Sequence, residues 1–169
     1  MKLFNRSLTI FLAALILAAL GVLGYILASP KAGNAITEFY ISGREGPASD
    51  YPVEFFMENG EVTAVKYSDS PIREEDSGIL VLGIVNRGHE AADYVIKVLI
   101  DGIQSTVFYD GDMAEEIGSI QLAGEEKWEN EVGIIPDNTG NNQKVEFVLY
   151  KDGTPCFEEP LYLWIDVTD

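Results

Sequence analysis

The side chains best suited to holding a metal ion lie in one short acidic segment. Asp110 and Asp112 flank a glycine, and Glu115 and Glu116 follow closely. Carboxylate oxygens are the ligands that Ca²⁺ prefers, but it needs about six to eight converging oxygens, and this spacing departs from the EF-hand loop. Acidic proteins also carry such runs in ordinary turns. Two interpretations of these four residues therefore remain: a cation site and an ordinary solvated loop.

The residues of nucleophilic catalysis are present singly. Cys156 is the one cysteine of the chain, and the one histidine, His89, lies in the polar segment Asn86–Glu90. A cysteine nucleophile needs a base nearby, and one imidazole without a second ligand makes no site. The sequence also lacks a glycine-rich phosphate-binding loop. It therefore predicts a protein that is not an enzyme and that carries no cofactor.

The charge of the chain is strongly uneven. Residues 1–34 contain Lys2, Arg6 and Lys31 and no acidic residue, so they carry +3. Since the whole chain carries −17, the remaining residues carry −20. So negative a surface repels phosphate backbones, which argues against nucleic acid as a partner. It is consistent with a solvated, aggregation-resistant surface or with attraction for cations or a basic partner.

One uninterrupted apolar segment precedes this acidic region. Residues 8–28 contain no charged side chain, and a helix of that length spans a bilayer core of about 30 Å. Lys2 and Arg6 precede it, so the positive-inside rule places the N-terminus in the cytoplasm. We predict a cytoplasmic N-terminus at 1–7, a transmembrane signal anchor at 8–28, a linker at 29–35 and an extracytoplasmic domain at 36–169. A cleaved signal peptide is the alternative, although its apolar region is usually shorter.

Small residues recur along one sector of the predicted anchor. At about 100° per residue a single stripe contains five of them, and such stripes let a second membrane helix approach closely. Alanine and glycine are also simply common in membrane helices. The candidate helix-packing residues are Ala14, Ala18, Gly21, Gly24 and Ala28.

After residue 35 the pattern changes to short alternating segments separated by turn residues. Asn59-Gly60 predicts a hairpin, and Asp101-Gly102 and Asp152-Gly153 predict further turns. In the last segment, four aliphatic residues alternate with a second set that contains Tyr162 and Trp164. Many short strands without a helical pattern predict an all-β fold, an immunoglobulin-like antiparallel β-sandwich of seven to nine strands after the transmembrane helix. The predicted strands cover 37–41, 53–57, 61–67, 79–85, 93–101, 104–109, 116–122, 128–135, 144–150 and 161–167.

An ordered set of these segments resembles one known family. The segments that carry the resemblance are Ile36–Ile41, Tyr51-Pro52, Leu82–Asn86, Lys127–Glu129, Gln143–Tyr150 and Leu163–Val167. Together they look like the C-terminal region of the domain of unknown function 1616 family, membrane proteins found mostly in archaea. The family has no assigned activity, so the resemblance implies an architecture and a membrane location and supplies no catalytic residue.

Three functional hypotheses follow from the sequence. The first is an accessory subunit or surface module that is anchored by its helix in membrane lipid and works through contacts with protein partners. The second is a pilin-like filament subunit, against which the apolar run has no processing glycine before it and no glutamate near its start. The third is a module that binds a cation or small ligand on its acidic loops.

Overall fold

The computed structural model describes residues 36–46 and 49–169, which form an all-β domain. The chain divides into two units, Met1–Asn34 and Ala35–Asp169, and the description concerns the second. Its strands are β1 (Thr37–Ser42), β2 (Pro52–Glu58), β3 (Glu61–Tyr67), β4 (Gly78–Asn86), β5 (Ala92–Ile100), β6 (Ile103–Gln104), β7 (Val107–Tyr109), β8 (Asp112–Ala114), β9 (Ile117–Leu122), β10 (Lys127–Ile134), β11 (Gly140–Lys151), β12 (Thr154–Pro155) and β13 (Leu161–Thr168).

The strands form two sheets. The smaller sheet has the order β1-β4-β10-β7-β8, and the larger has the order β3-β2-β13-β11-β5-β6, with β9 on β5 and β12 on β11. Neighbouring strands are antiparallel except β2 and β13, which are parallel. This order, in which most neighbours are not consecutive in the chain, is typical of β-sandwiches.

The core lies between the two sheets because each strand alternates apolar and polar residues. β5 buries every second residue toward the core, and β4 is apolar on both faces. The largest fully buried side chains are Tyr67, Tyr94, Phe55, Phe147, Leu80, Leu82, Ile84, Ile96, Ile117, Ile134, Leu149 and Ile165. The predicted alternation of β5 and β13 is thereby confirmed.

The predicted hairpin turns are confirmed by the backbone. Asn59 and Gly60 both have positive φ angles, as do the Asp-Gly pairs at 101–102 and 152–153. Two successive positive φ angles define the type I′ turn, whose twist matches that of the flanking strands. Asp110-Gly111 has the same geometry and joins β7 to β8, so this part of the predicted cation segment is a hairpin turn.

Two sequence predictions about the strands were wrong. The described residues contain thirteen strand segments, more than the seven to nine strands of the predicted sandwich and more than the ten ranges predicted from the sequence. The predicted strand 104–109 is divided, because β6 pairs with β5 in the larger sheet and β7 pairs with β10 in the smaller one. Ser105 lies at the crossing point, where its amide donates to Val98 and its hydroxyl to Ile135.

Gly83 permits a close contact on the outer face of the smaller sheet. Tyr40 is the cross-strand partner of Gly83, and its ring occupies the space that a Cβ at Gly83 would need. The Tyr40 hydroxyl donates to Glu129 Oε1 at 3.1 Å. The ring therefore covers the outer side of β4, which is why the middle of that strand is buried on both faces.

We expect Gly83→Ala to destabilise the fold by about 2 kcal/mol, because the added methyl group must displace the Tyr40 ring. Denaturant unfolding would measure the change. Gly118→Ala is the matched control, since a Cβ at Gly118 on exposed β9 meets nothing closer than 3.9 Å. Equal stability of the two variants would contradict the prediction.

Candidate functional site

The last strand places two large aromatic side chains on the outside of the larger sheet. Leu163 and Ile165 point toward the core, so Tyr162 and Trp164 point outward by the alternation of β13. They are 53% and 52% exposed, and their rings meet edge to face with centroids 6.2 Å apart. Aromatic residues exposed to this degree on a regular strand are a feature of binding surfaces.

The neighbouring strand β11 supports these aromatic rings. Lys144 lies opposite Trp164 and Glu146 opposite Tyr162 in the antiparallel register. The Lys144 ammonium sits 4.7 Å from the Tyr162 ring centroid and 2.6 Å from Glu146 Oε1. A cation–π contact and an ion pair therefore hold the same lysine across the tyrosine ring.

An aliphatic strip lies on the other side of Glu146. Leu99 of β5 is the register partner of Glu146, and Val148 of β11 pairs with Lys97. Leu99 and Val148 are half-buried, so they are less exposed than Tyr162 and Trp164. We call this outer surface of the larger sheet the aromatic face, formed by Leu99, Lys144, Glu146, Val148, Tyr162 and Trp164.

Charges on and around the aromatic face are largely compensated. Besides the pair of Lys144 with Glu146, Lys66 lies 3.1 Å from Glu54 Oε2 and Lys97 lies 3.3 Å from Glu116 Oε2. Each of these pairs is partly exposed and contributes little to stability. Their effect is local neutrality within a domain that carries −20 overall, and neutrality lowers the cost of desolvating this face.

The aromatic face is suited to binding. Tyrosine and tryptophan supply large, rigid contact areas with a polar handle, and such residues dominate the energetics of protein interfaces. The two charged side chains on the face, Lys144 and Glu146, are already paired with each other. The arrangement therefore provides contact area and charge matching.

The four predicted metal ligands are placed in separate surroundings. Asp110 lies in the β7–β8 turn, and Asp112 is exposed on β8. The main-chain carbonyl of Glu115 accepts from Gln104, and the Glu116 carboxylate pairs with Lys97. Across residues 36–46 and 49–169, no group of three or more His, Cys, Asp or Glu side chains is arranged to hold a metal ion. Cation binding at this segment stays a prediction.

Cys156 and His89 lie on different loops. Cys156 follows β12 and is half-buried, and its main-chain amide donates to the Leu149 carbonyl at 2.9 Å. Burial raises the pKa of the Cys156 thiol, which lowers its thiolate fraction at neutral pH. His89 is exposed in the connection between β4 and β5.

A second polar feature lies where β3 and the connection to β4 meet. The Arg73 guanidinium lies 4.7 Å from the Tyr67 ring centroid and pairs with the buried carboxylate of Asp50. The Tyr67 hydroxyl donates to Glu75, and Arg44 binds the other oxygen of Glu75 at 2.9 Å. Burial and the hydrogen bond to Glu75 raise the pKa of Tyr67 to about 12.

An open cleft of about 590 Å³ adjoins this network, with Arg44, Glu74, Glu75 and Asp76 among its lining residues. Both carboxylate oxygens of Glu75 are already bound, one by Arg44 and the other by Tyr67. We therefore interpret the network as a structural connection between the two sheets, and the aromatic face as the candidate site.

The predicted anchor, residues 8–28, lies outside the described residues, as do the five small residues of its stripe. Within the described residues, no helix is long and apolar enough to cross a membrane.

The described residues form an all-β domain of two sheets, with two exposed aromatic side chains on the outer face of the larger sheet. The chain belongs to the family described as domain of unknown function (DUF1616), which matches residues 30–166. The resemblance drawn from the strand sequences is thereby confirmed, and the family match begins six residues before the predicted domain. None of the curated proteins matches the chain.

Two solved structures are similar to the chain at low identity. A CARDB domain from Pyrococcus furiosus, solved in complex with di-metal ions, is 9% identical with a TM-score of 0.45; the match covers 79% of this chain and 96% of that one. The N-terminal domain of PorA is 10% identical with a TM-score of 0.38, over 77% of this chain and 97% of that one.

Proposed function

We propose that this protein is a membrane-anchored, extracytoplasmic module with an immunoglobulin-like sandwich that binds other protein domains and does not catalyse a reaction. The observation that carries the proposal is the aromatic face, where Tyr162 and Trp164 are each about half exposed beside paired charges. The two-sheet arrangement with non-consecutive neighbouring strands supports the immunoglobulin-like class.

Aromatic exposure of this kind favours a protein partner. Burying the exposed halves of a tyrosine and a tryptophan removes apolar area from water, at about 25 cal/mol per Å². The ion pairs around them match the polar rim of a typical interface, where charges orient the partner and exclude alternatives. The domain as a whole carries a net charge of −20. Outside the aromatic face, its surface therefore repels partners that are themselves acidic.

The test is native sizing of the full chain after extraction from its own membranes in mild detergent. We expect a discrete complex larger than the single chain, and we expect Trp164→Glu to abolish it. Ile103→Glu is the matched control, because Ile103 is 73% exposed on β6 and is not one of the residues of the aromatic face. Complexes of the same size for wild type and Trp164→Glu would overturn the proposal.

The membrane location has its own test. We expect Cys156 in intact cells to react with a membrane-impermeant maleimide, since the proposed topology places the domain outside the cytoplasm. Because the thiol is half-buried with a raised pKa, labelling should be slow at neutral pH and faster as the pH rises toward the thiol pKa. A Cys156→Ser chain is the control for nonspecific labelling. Reaction only after the membrane is broken would contradict the orientation.

A further inference from the structure

The first strand, β1, lies at an edge of the smaller sheet, and among the described residues it pairs with β4 alone. The Arg87 amide donates to the Ile36 carbonyl at 2.9 Å, so these two residues form a hydrogen-bonded pair of the antiparallel ladder. Such pairs alternate along a ladder, and the residues between them direct their N–H and C=O groups away from the partner strand. In β1 these outward residues are Thr37, Phe39 and Ile41.

The open part of this edge has a defined end. The Tyr51 hydroxyl donates to the Ile41 carbonyl at 3.3 Å, so that carbonyl already has a partner. Within residues 36–46 and 49–169, no strand pairs with the outward groups of Thr37 and Phe39. The start of β1 therefore presents main-chain donors and acceptors that only a further extended segment can match in register.

The other strand edges of the described residues are short, irregular or covered, which is how proteins protect sheet edges against pairing. β6 and β12 have two residues each, and β8 has three. In β3, Val65 exchanges two main-chain hydrogen bonds with Arg73. β9 has a register shift against β5 and a positive φ angle at Ser119. By contrast, β1 has six residues in continuous register with β4.

The core is only partly covered along this edge. Ile84 and Leu82 of β4 are fully buried, whereas their register partners Phe39 and Ile41 are only partly buried. Phe157, from the connection between β12 and β13, stacks on Phe39 with ring centroids 6.5 Å apart and is itself 43% exposed. An apolar side chain of an added strand, directly opposite Phe39, would complete the burial of this ring.

The surroundings of the edge define the rest of an occupant. A cleft of about 400 Å³ adjoins the start of β1, with Thr37, Cys156 and Phe157 among its lining residues. Glu158 and Glu159 follow in the same connection, are exposed, and form no ion pair with any residue that the structure describes. These carboxylates favour lysine or arginine near the apolar side chain, in a domain that carries −20 overall.

We propose that the edge of β1 binds an extended segment of another protein, which adds to the smaller sheet as a further strand. Strand addition of this kind takes its affinity from main-chain hydrogen bonds and its specificity from the alternate side chains. The inward side chains of the segment are apolar and cover Phe39, and its remaining side chains are basic and face Glu158 and Glu159. The inference goes beyond the proposed function, because none of these residues belongs to the aromatic face.

The experiment measures binding of a fluorescent peptide to the full chain in mild detergent by anisotropy. The probe is a short peptide with blocked ends, in which lysine alternates with valine and phenylalanine. Two isomers of it carry the same number of N-methyl groups, one on the amides of the apolar residues and the other on the amides of the lysines. Their charge and composition are identical, so they differ only in which edge of the peptide can pair.

We expect the parent peptide and one isomer to bind alike and the other isomer to bind about tenfold more weakly, because it loses two or more main-chain hydrogen bonds. Loss for the isomer methylated on its apolar residues would indicate an antiparallel added strand, and loss for the other a parallel one. Equal affinity of the two isomers would leave charge attraction alone and overturn the proposal.

A matched pair of variants tests the position on the protein. Thr37→Pro removes an outward N–H at the first residue of an edge strand, where proline is tolerated, and should weaken binding of the parent peptide about tenfold. Thr37→Val is the control, since it keeps that N–H and loses only the hydroxyl contact with Tyr94 at 3.0 Å. Thermal unfolding verifies that both variants are folded. Wild-type affinity in folded Thr37→Pro would overturn the proposal.

Hydrogen exchange identifies the occupant of the edge. We expect the Phe39 amide to exchange freely in the chain alone and to become protected when the parent peptide is added. A chain that sediments as a dimer, with this amide already protected, would assign the edge to a second copy and overturn the proposal. Equal binding of a peptide with glutamate in place of lysine would overturn the basic character of the partner.

Discussion

Replacing Asn86 with alanine is expected to lower the free energy of unfolding by about 3 kcal/mol, because it leaves several buried polar groups without partners. Asn86 is the last residue of β4 and is fully buried. Its amide nitrogen lies within 3.1 Å of the carbonyl oxygens of Glu90, Leu122 and Ala123. Its side-chain oxygen accepts from the amide of Gly88 at 3.1 Å.

The effect is large because Asn86 connects two loops at one end of the domain. The side chain links the β4–β5 connection to the β9–β10 connection, and its main chain bonds to Glu125 and Glu126 as well. One substitution therefore removes side-chain hydrogen bonds that hold both loops. The stabilisation contributed by such a network exceeds the sum of the contributions of its single hydrogen bonds.

Denaturant unfolding measures the loss, and hydrogen exchange at the Gly88 amide reports the local opening. Asn130→Ala is the matched control, since Asn130 is exposed on β10 and should change stability by no more than about 0.5 kcal/mol. A loss below 1 kcal/mol for Asn86→Ala would show that water replaces the missing amide.

The second large effect is expected at the ion pair of Asp50 and Arg73, where Arg73→Met should cost about 3 kcal/mol. Asp50 is 1% exposed, and Arg73 donates from Nη2 to Oδ1 at 3.3 Å. The other guanidinium nitrogen, Nη1, lies 3.2 Å from Oδ2 without hydrogen-bond geometry, so Oδ2 depends on the arginine charge alone. Methionine keeps the alkyl packing on Tyr67 and leaves the carboxylate buried without its cation.

A double variant separates the charge effect from packing. Asp50→Asn in the Arg73→Met background removes the uncompensated charge, so it should recover about half of the lost stability. Arg87→Met is the control for loss of an arginine, because Arg87 and Glu38 are both about half exposed and such pairs contribute about 0–1 kcal/mol. No recovery in the double variant would mean that Arg73 acts through packing.

Local sequence patterns determined the strands and most turns of this domain. Alternation placed Leu163 and Ile165 toward the core and Tyr162 and Trp164 toward solvent, as the structure has them. The Asn59-Gly60 pair predicted its hairpin because few other residues adopt two successive positive φ angles. The Asp110-Gly111 turn carries the same signal, although the acidic residues beside it are also of the type that ligates metal ions.

Only part of the candidate site could be predicted from the sequence. The outward direction of Tyr162 and Trp164 follows from the period of β13, and two large aromatic residues on the polar side of a strand are a signal that points to a binding surface. Their neighbours do not follow, because Lys144 and Leu99 come from strands distant in the chain. Only the register of β11 with its neighbours places a lysine over the tyrosine ring and an aliphatic strip beside it.

By itself, the sequence determined the all-β class, the strand faces, the hairpin turns and the family, since these depend on residues close together in the chain. Tertiary structure alone decided that Asn86 is buried, although it lies in a polar segment, and that Asp50 meets Arg73. It also divided the predicted strand 104–109 between two sheets. These features depend on which segments pack together, and the free energy of that packing is a property of the assembled layers rather than of any local pattern.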